Sequence, residues 1–324
     1  MRRHRLLLAA LGLITAAPAA STASAQPYPS RPIRFIVPFA PGGGNDVIAR
    51  FIGSRLAEAW GQQIVVDNRA GAGGNIAGEI VARSSPDGYT IFMFNSANAI
   101  APNLYQGLAY DPVRDFQPVV LIAISPFALV VHPSTPAHSV RDLIALAKAR
   151  PGTLTYASGG NGSATHLAAD QFKQMAGIDM IHVPYKGAGP AFVDLVAGQV
   201  TMYFSSIPPA LPHIKSGRVR ALGLSSEKRS SLLPDLPTIA ESGVKGYESE
   251  VSYGIVVPAR TSADIVRKLN AEVVRILAEG DARSRLVSQG ADVAAGTPQD
   301  YARYMRAEIA KWAKVIRASG AKVD

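Results

Sequence analysis

The chain has 324 residues, 48% hydrophobic and 18% charged, with a formal charge of +9 and no cysteine. Such a composition describes a packed globular chain rather than a disordered one, and the lack of thiols excludes disulfides and thiolate metal sites. The basic residues are dispersed, without the Lys/Arg runs interleaved with aromatics that nucleic-acid binding needs, though a mild positive field favours encounter with anionic solutes.

Arg2, Arg3 and Arg5 precede an apolar run from Leu6 to Ile14, and small residues follow to Ala23-Ser24-Ala25. This is the order of a secretory signal peptide, with cleavage expected after Ala25; the run is shorter than the ~20 residues of a membrane span. Ile33 to Phe39 reads as a buried strand, and Pro41-Gly42-Gly43-Gly44 then opens a helix with Val47, Ile48, Phe51, Ile52 and Leu56 at helical spacing. A strand at Ile64 to Val66, the loop Gly71-Ala72-Gly73-Gly74, a helix through Ile76, Ile80 and Val81, and a strand from Tyr89 to Phe94 follow. This alternation predicts a parallel sheet with crossover helices.

Phe116 to Val131 is a long extended stretch broken only by Ser125-Pro126, suited to run from one lobe into the next. Ser139 caps a helix through Leu143, Leu146 and Ala147. Thr153 to Tyr156 leads into Ser158-Gly159-Gly160-Asn161-Gly162-Ser163 and a helix through Leu167, Phe172 and Met175. Ile181 to Val183 leads into Lys186-Gly187-Ala188-Gly189 and a helix with Phe192, Val193 and Val196. Val200 to Phe204 and Val219 to Leu224 complete a second α/β unit, and Val251 to Val257 returns to the first. Thr261-Ser262 and Pro298 open the last long helices. The expected division is a leader over 1–25, one lobe from 26–128 with 248–324, and another from 129–247. Such lobes would close about a hinge.

Four glycine-rich loops thus open four helices, and the unpaired N–H groups at a helix start sit at the positive end of its dipole. Facing one another across a cleft, they would grip a small carboxylate with main chain. The candidates on the first lobe are Phe39 as wall, Gly42, Gly43 and Gly44 as donors, Asp46 ordering its loop, and Asn95 and Ser96 at a strand's carboxyl end. On the second they are Ser158, Gly162, Ser163, Ala164, Thr165 and His166, with Lys186 supplying positive potential. No catalytic set emerges. Gly-x-Ser-x-Gly is absent, Ser225-Ser226-Glu227-Lys228 fits Ser-x-x-Lys without its companion motifs, and the histidines lack metal-ligand spacing. Neither Pro41-Gly42-Gly43-Gly44-Asn45-Asp46 nor Gly71-Ala72-Gly73-Gly74-Asn75-Ile76 completes a nucleotide fingerprint, so no metal or cofactor is expected.

Pro38-Phe39-Ala40-Pro41-Gly42-Gly43-Gly44-Asn45-Asp46, Asn68-Arg69-Ala70-Gly71-Ala72-Gly73-Gly74, Ser85-Pro86-Asp87-Gly88-Tyr89-Thr90, Tyr156-Ala157-Ser158-Gly159, Thr165-His166-Leu167, Val183-Pro184-Tyr185-Lys186-Gly187 and Leu233-Pro234-Asp235-Leu236-Pro237-Thr238 stand in one order along the chain. As an ordered set they resemble the substrate-binding proteins of tripartite tricarboxylate transporters, the Bug proteins. The resemblance implies an α/β, type II periplasmic-binding-protein fold, each of its two lobes a mainly parallel sheet flanked by helices and hinged by crossing strands. It further implies a periplasmic receptor that holds a small organic acid through amides, hydroxyls and waters; a monomer is the default expectation for a receptor that must meet a membrane partner. Delivery would be to a permease of one large and one small subunit. One departure is Thr201, where the family usually carries an acidic residue. An orphan ligand sensor and a periplasmic hydrolase are the alternatives.

Overall fold

The computed structural model describes residues 28–230, 232–288 and 290–319; the leader expected over 1–25 lies outside the described residues. The first part of the chain builds β1 (Ile33–Val37), α1 (Gly44–Trp60), β2 (Ile64–Asn68), α2 (Asn75–Ala82), β3 (Thr90–Asn95), α3 (Ser96–Leu104) and β4 (Phe116–Val131). The middle builds α4 (Val140–Ala149), β5 (Thr155–Ser158), α5 (Ala164–Ala176), β6 (Ile181–Pro184), α6 (Ala188–Val196), β7 (Met202–Ser206), α7 (Ile207–Lys215) and β8 (Arg220–Leu224). β9 (Glu250–Pro258), α8 (Ala263–Ala278), α9 (Gly280–Ser288), β10 (Asp292–Val293) and α10 (Pro298–Ser319) follow.

The described strands hydrogen-bond along one path, β2-β1-β3-β9-β4-β7-β5-β6, with β8 and β10 also on β4. Parallel pairing joins β2, β1 and β3 on one side and β7, β5 and β6 on the other; the pairs involving β4 and β9 are antiparallel. β4 belongs to both halves. Its residues to Pro126 pair with β9, and from Phe127 onward it pairs with β7 and β8. The extended stretch is therefore one strand that passes through Ser125-Pro126 and changes partners there. A proline lacks the ladder donor, which suits a position where the ladder is handed over.

The crossing is fastened by Ser225, just after β8. Its N–H donates to Phe127 O (2.9 Å), its hydroxyl accepts from the Phe127 N–H (2.7 Å) and donates to Ser249 O, and its carbonyl accepts from the Ser249 N–H (3.0 Å). One buried serine thus joins β4 to the segment entering β9. The Ser-x-x-Lys match is accordingly structural, since its hydroxyl is spent on backbone.

Helices α3, α7 and α9 were not legible in the sequence as helices. In α3 the cap is built from asparagines: Asn95 Oδ1 accepts from the Ala97 N–H (2.9 Å) and Asn98 Oδ1 from the Asn95 N–H (3.2 Å). In α7 prolines stand in the first turn, where no intrahelical N–H bond is lost. The core runs continuously between the halves, with Phe35, Ile91 and Trp312 on one side, Phe127 at the crossing, and Tyr156, Phe172 and Phe204 on the other. Substituting Ser225→Ala leaves a buried N–H and a buried carbonyl unpaired. It should cost about 1–3 kcal/mol in urea unfolding; an unchanged midpoint would remove the serine from the crossing.

Candidate functional site

Five helices start at the carboxyl ends of β1, β3, β5, β6 and β7, and their first residues meet at one cavity. α1 contributes Gly44 and Asn45 after Gly43; α3 contributes Ala97 and its cap Asn95; α5 contributes Ala164, Thr165 and its cap Ser163. α6 contributes Ala188 and its cap Gly187, and α7 its cap Ser206. Phe39, Gly159, Tyr203 and Tyr253 complete the wall with Phe127 and Val251 from the crossing strands. No Asp, Glu, Lys, Arg or His belongs to it.

Three of these helices, α1, α6 and α7, carry no side-chain cap, while α3 and α5 are capped by Asn95 and Ser163; away from the cavity α4 and α8 are capped by Ser139 and Ser262 and α2 is not. Helix starts that lack a cap leave their amides for another acceptor. Each adds roughly half a positive charge of dipole without a cation to desolvate. Hydroxyls supplement them. Burial pushes the Tyr253 hydroxyl up to about 12 despite a bond with Ser206, and pushes Tyr203 up likewise despite one with Thr165. Both remain protonated donors near neutrality.

The loops face one another in pairs. A Cβ at Gly187 would lie 3.4 Å from Ala40 N, and one at Gly73, which has φ +64°, would lie 2.8 Å from Asn161 O. Gly73 is required by both its close approach and its φ, and Gly187 by its φ of +131°. Tyr105 Oη donates to Asn161 O (2.7 Å), so residues from the two halves are hydrogen-bonded at the mouth. The cavity's volume is about 60 Å³, well below the ~300–1,000 Å³ of drug-sized ligand sites.

Of the residues expected from sequence, Phe39, Gly43, Gly44, Asn95, Ser163, Ala164 and Thr165 line this cavity. Gly42, Asp46, Ser96, Ser158, Gly162, His166 and Lys186 do not. Asp46 is buried behind the first loop, accepting from the Gly42 N–H (3.0 Å), Arg50 Nε (3.0 Å) and Asn68 Nδ2 (3.1 Å). Burial raises its carboxyl, but those bonds outweigh it and hold the group below the usual range. Ser96 is turned toward β9, its Oγ accepting from the Ser252 N–H (2.9 Å). Lys186 is exposed and lines the neighbouring chamber.

Ser158, Gly162 and His166 serve the third loop from within. The Gly160 N–H donates to Ser158 Oγ (3.1 Å), which pairs with His182 Nε2 (2.7 Å). The Gly162 N–H donates to His166 Nδ1 (3.1 Å), fixing that nitrogen as unprotonated, while Nε2 faces Asp170 (3.5 Å). The His166 and His182 rings stack with centroids 4.0 Å apart, and Tyr156 stacks on His182 at 4.8 Å. Tyr203, Ser206, Tyr253, Phe127 and Val251 were missed, being strand or strand-end residues that read as core. β7 and β9 are buried along almost their whole length, so no alternation marks the tyrosines, although a hydroxyl in a buried strand needs a partner.

Burial, then the neighbouring His166, lowers His182 to about 4, and burial lowers His166 despite Asp170. Both are therefore neutral when folded, while an unfolded histidine titrates near 6.5. Between about 6.5 and about 4 the unfolded chain binds more protons, so stability should fall as pH is lowered through that window. Urea midpoints measured across it should drop less for His182→Gln than for the parent; parallel curves would sink this account.

Residues 48–321 match the family model described as tripartite tricarboxylate transporter family receptor. Protein BugT of Bordetella pertussis is 38% identical over 98% of this chain and 98% of its own. The R. palustris protein Rpa4515, solved with adipate, superposes with TM-score 0.89 at 40% identity, covering 91% of this chain and all (100%) of its own. MatC of Rhodopseudomonas palustris, solved with malate, does so at 0.86 and 33% identity, covering 89% and 100%. The architecture is thus the two-lobed α/β fold of periplasmic binding proteins. A family match over most of the chain and a cavity of helix starts without a reactive group agree: the chain belongs to the solute-binding receptors of the tripartite tricarboxylate transporter family.

Proposed function

We propose that this receptor works in the periplasm, where it closes on a small organic acid and delivers it to a two-subunit membrane permease. The lobes would be 26–128 with 248–324, and 129–247, rotating about the crossing at Pro126-Phe127 and Ser249-Glu250. The carrying observation is the neutral cavity on which five helix starts converge. An anion there gains from several dipoles, and no side-chain charge has to be stripped of water first. A neutral sugar could accept hydrogen bonds from those amides but would lack the charge–dipole attraction. The acids solved in two similar proteins, adipate and malate, support the same class. The cavity's small volume requires the lobes to part before a ligand enters, which the change of partners along β4 permits. A monomer, able to present both lobes to a membrane partner, is the form we expect.

Thermal-shift titration against mono-, di- and tricarboxylates and neutral sugars tests the reading. A bound acid at a hundredfold excess over its Kd should add about 2.7 kcal/mol of stability. Stabilisation by a sugar and by no acid would overturn the ligand class. At Gly43, where a Cβ would meet Ala188 at 3.5 Å, Gly43→Leu should weaken acid binding at least about tenfold by filling the seat. Its unliganded melting temperature should change little. Unaltered affinity would place the seat elsewhere.

A further inference from the structure

One peptide unit of the third loop is held from both lobes at once. Its N–H, that of Gly162, donates to His166 Nδ1 (3.1 Å) within the second lobe. Its carbonyl, that of Asn161, accepts from the hydroxyl of Tyr105 (2.7 Å), the residue that ends α3 on the first lobe. A Cβ on Gly73 or on Gly162 would lie 2.7 Å from that hydroxyl, so Tyr105 is seated between a loop of each lobe. A peptide unit is planar, and the two bonds therefore fix it by opposite edges. Turning the plane to break one bond breaks the other.

The ring of His166 is buried, and few charges face it. His182 from β6 stacks on it, Tyr156 of β5 lies beyond, and Asp170 and Lys173 stand along its own helix, the lysine 3.8 Å from Asp170. β7, β9, α3 and α10 also pack on α5 but, among the described residues, set no charge against this ring. Asp170 favours a charged ring, burial and Lys173 oppose it, and burial prevails.

Resting on the closure proposed above, we propose that His166 gates a Tyr105 latch, so that low pH unfastens the lobes and weakens the hold on the captured carboxylate. A proton taken from solvent at Nδ1 turns that nitrogen from acceptor to donor, and it then confronts the Gly162 N–H. The peptide plane has to turn away, and the Asn161 carbonyl leaves the Tyr105 hydroxyl. The closed form thus excludes a proton that the open form, with its loop freed, admits. Affinity should be full above about 6.5, where an unhindered histidine is neutral, and should fall below it.

The test is calorimetric titration of the leader-free protein at pH 7.5 and 5.5 with acetate, succinate, adipate and citrate, following the acid that binds most tightly. That acid's own protonation enters parent and variants alike. The parent's affinity should fall between the two pH values by up to about tenfold more than that of His166→Gln, whose amide oxygen still accepts from Gly162 but takes no proton. Tyr105→Phe should bind more weakly at pH 7.5 and should likewise lose the extra fall. An equal fall in parent and His166→Gln overturns the gate. An undiminished fall in Tyr105→Phe overturns it as well, whether or not the histidine variant folds. If none of the four acids binds at pH 7.5, the ligand reading above fails and this inference with it.

Discussion

The structure turns on bringing several helix starts to one point while keeping a fixed charge away from it. A helix start is a weak anion seat alone, screened by water and worth little. Convergence changes the balance, because α1, α3, α5, α6 and α7 direct their first residues into the same enclosed space. The wall there is glycine, alanine, valine, serine, threonine, asparagine and aromatic surface. A cation would bind an anion more strongly, but it must be desolvated first.

That convergence depends on where the sheet is crossed. In each half three parallel strands deliver their carboxyl ends to the same edge, and β4 and β9 join the halves so that the two edges face. Ser225 holds the crossing by bonding β4 and the segment before β9 with a single residue. Those bonds satisfy buried backbone on both sides of the crossing.

Behind the seat, the first and third loops are held in part by side chains that do not line the cavity. Asp46 gathers Gly42, Arg50 and Asn68 beneath the first loop, and the stacked pair His166 and His182 supports the third with Ser158. These residues carry the chemistry that attracts notice in a sequence. Asp46 was expected to order its loop, and its bonds lie there; Ser158 and His166, expected at the seat, bond within the third loop instead.

The order of strands and helices, the glycine loops and the ordered family motifs were legible in the amino-acid sequence, because local periodicity and turn chemistry act over a few residues. Residues at helix starts, such as Gly43, Ser163 and Thr165, could be placed by the same logic. Local patterns do not say which way a buried polar residue turns. Asn95 opens toward the cleft through Asn45, while its neighbour Ser96 turns back to Ser252. Tyr203 and Tyr253 read as core until β7 and β9 are set on either side of the crossing, where their hydroxyls meet the cavity. Tertiary structure alone decided these directions, since they follow from how two distant strands cross.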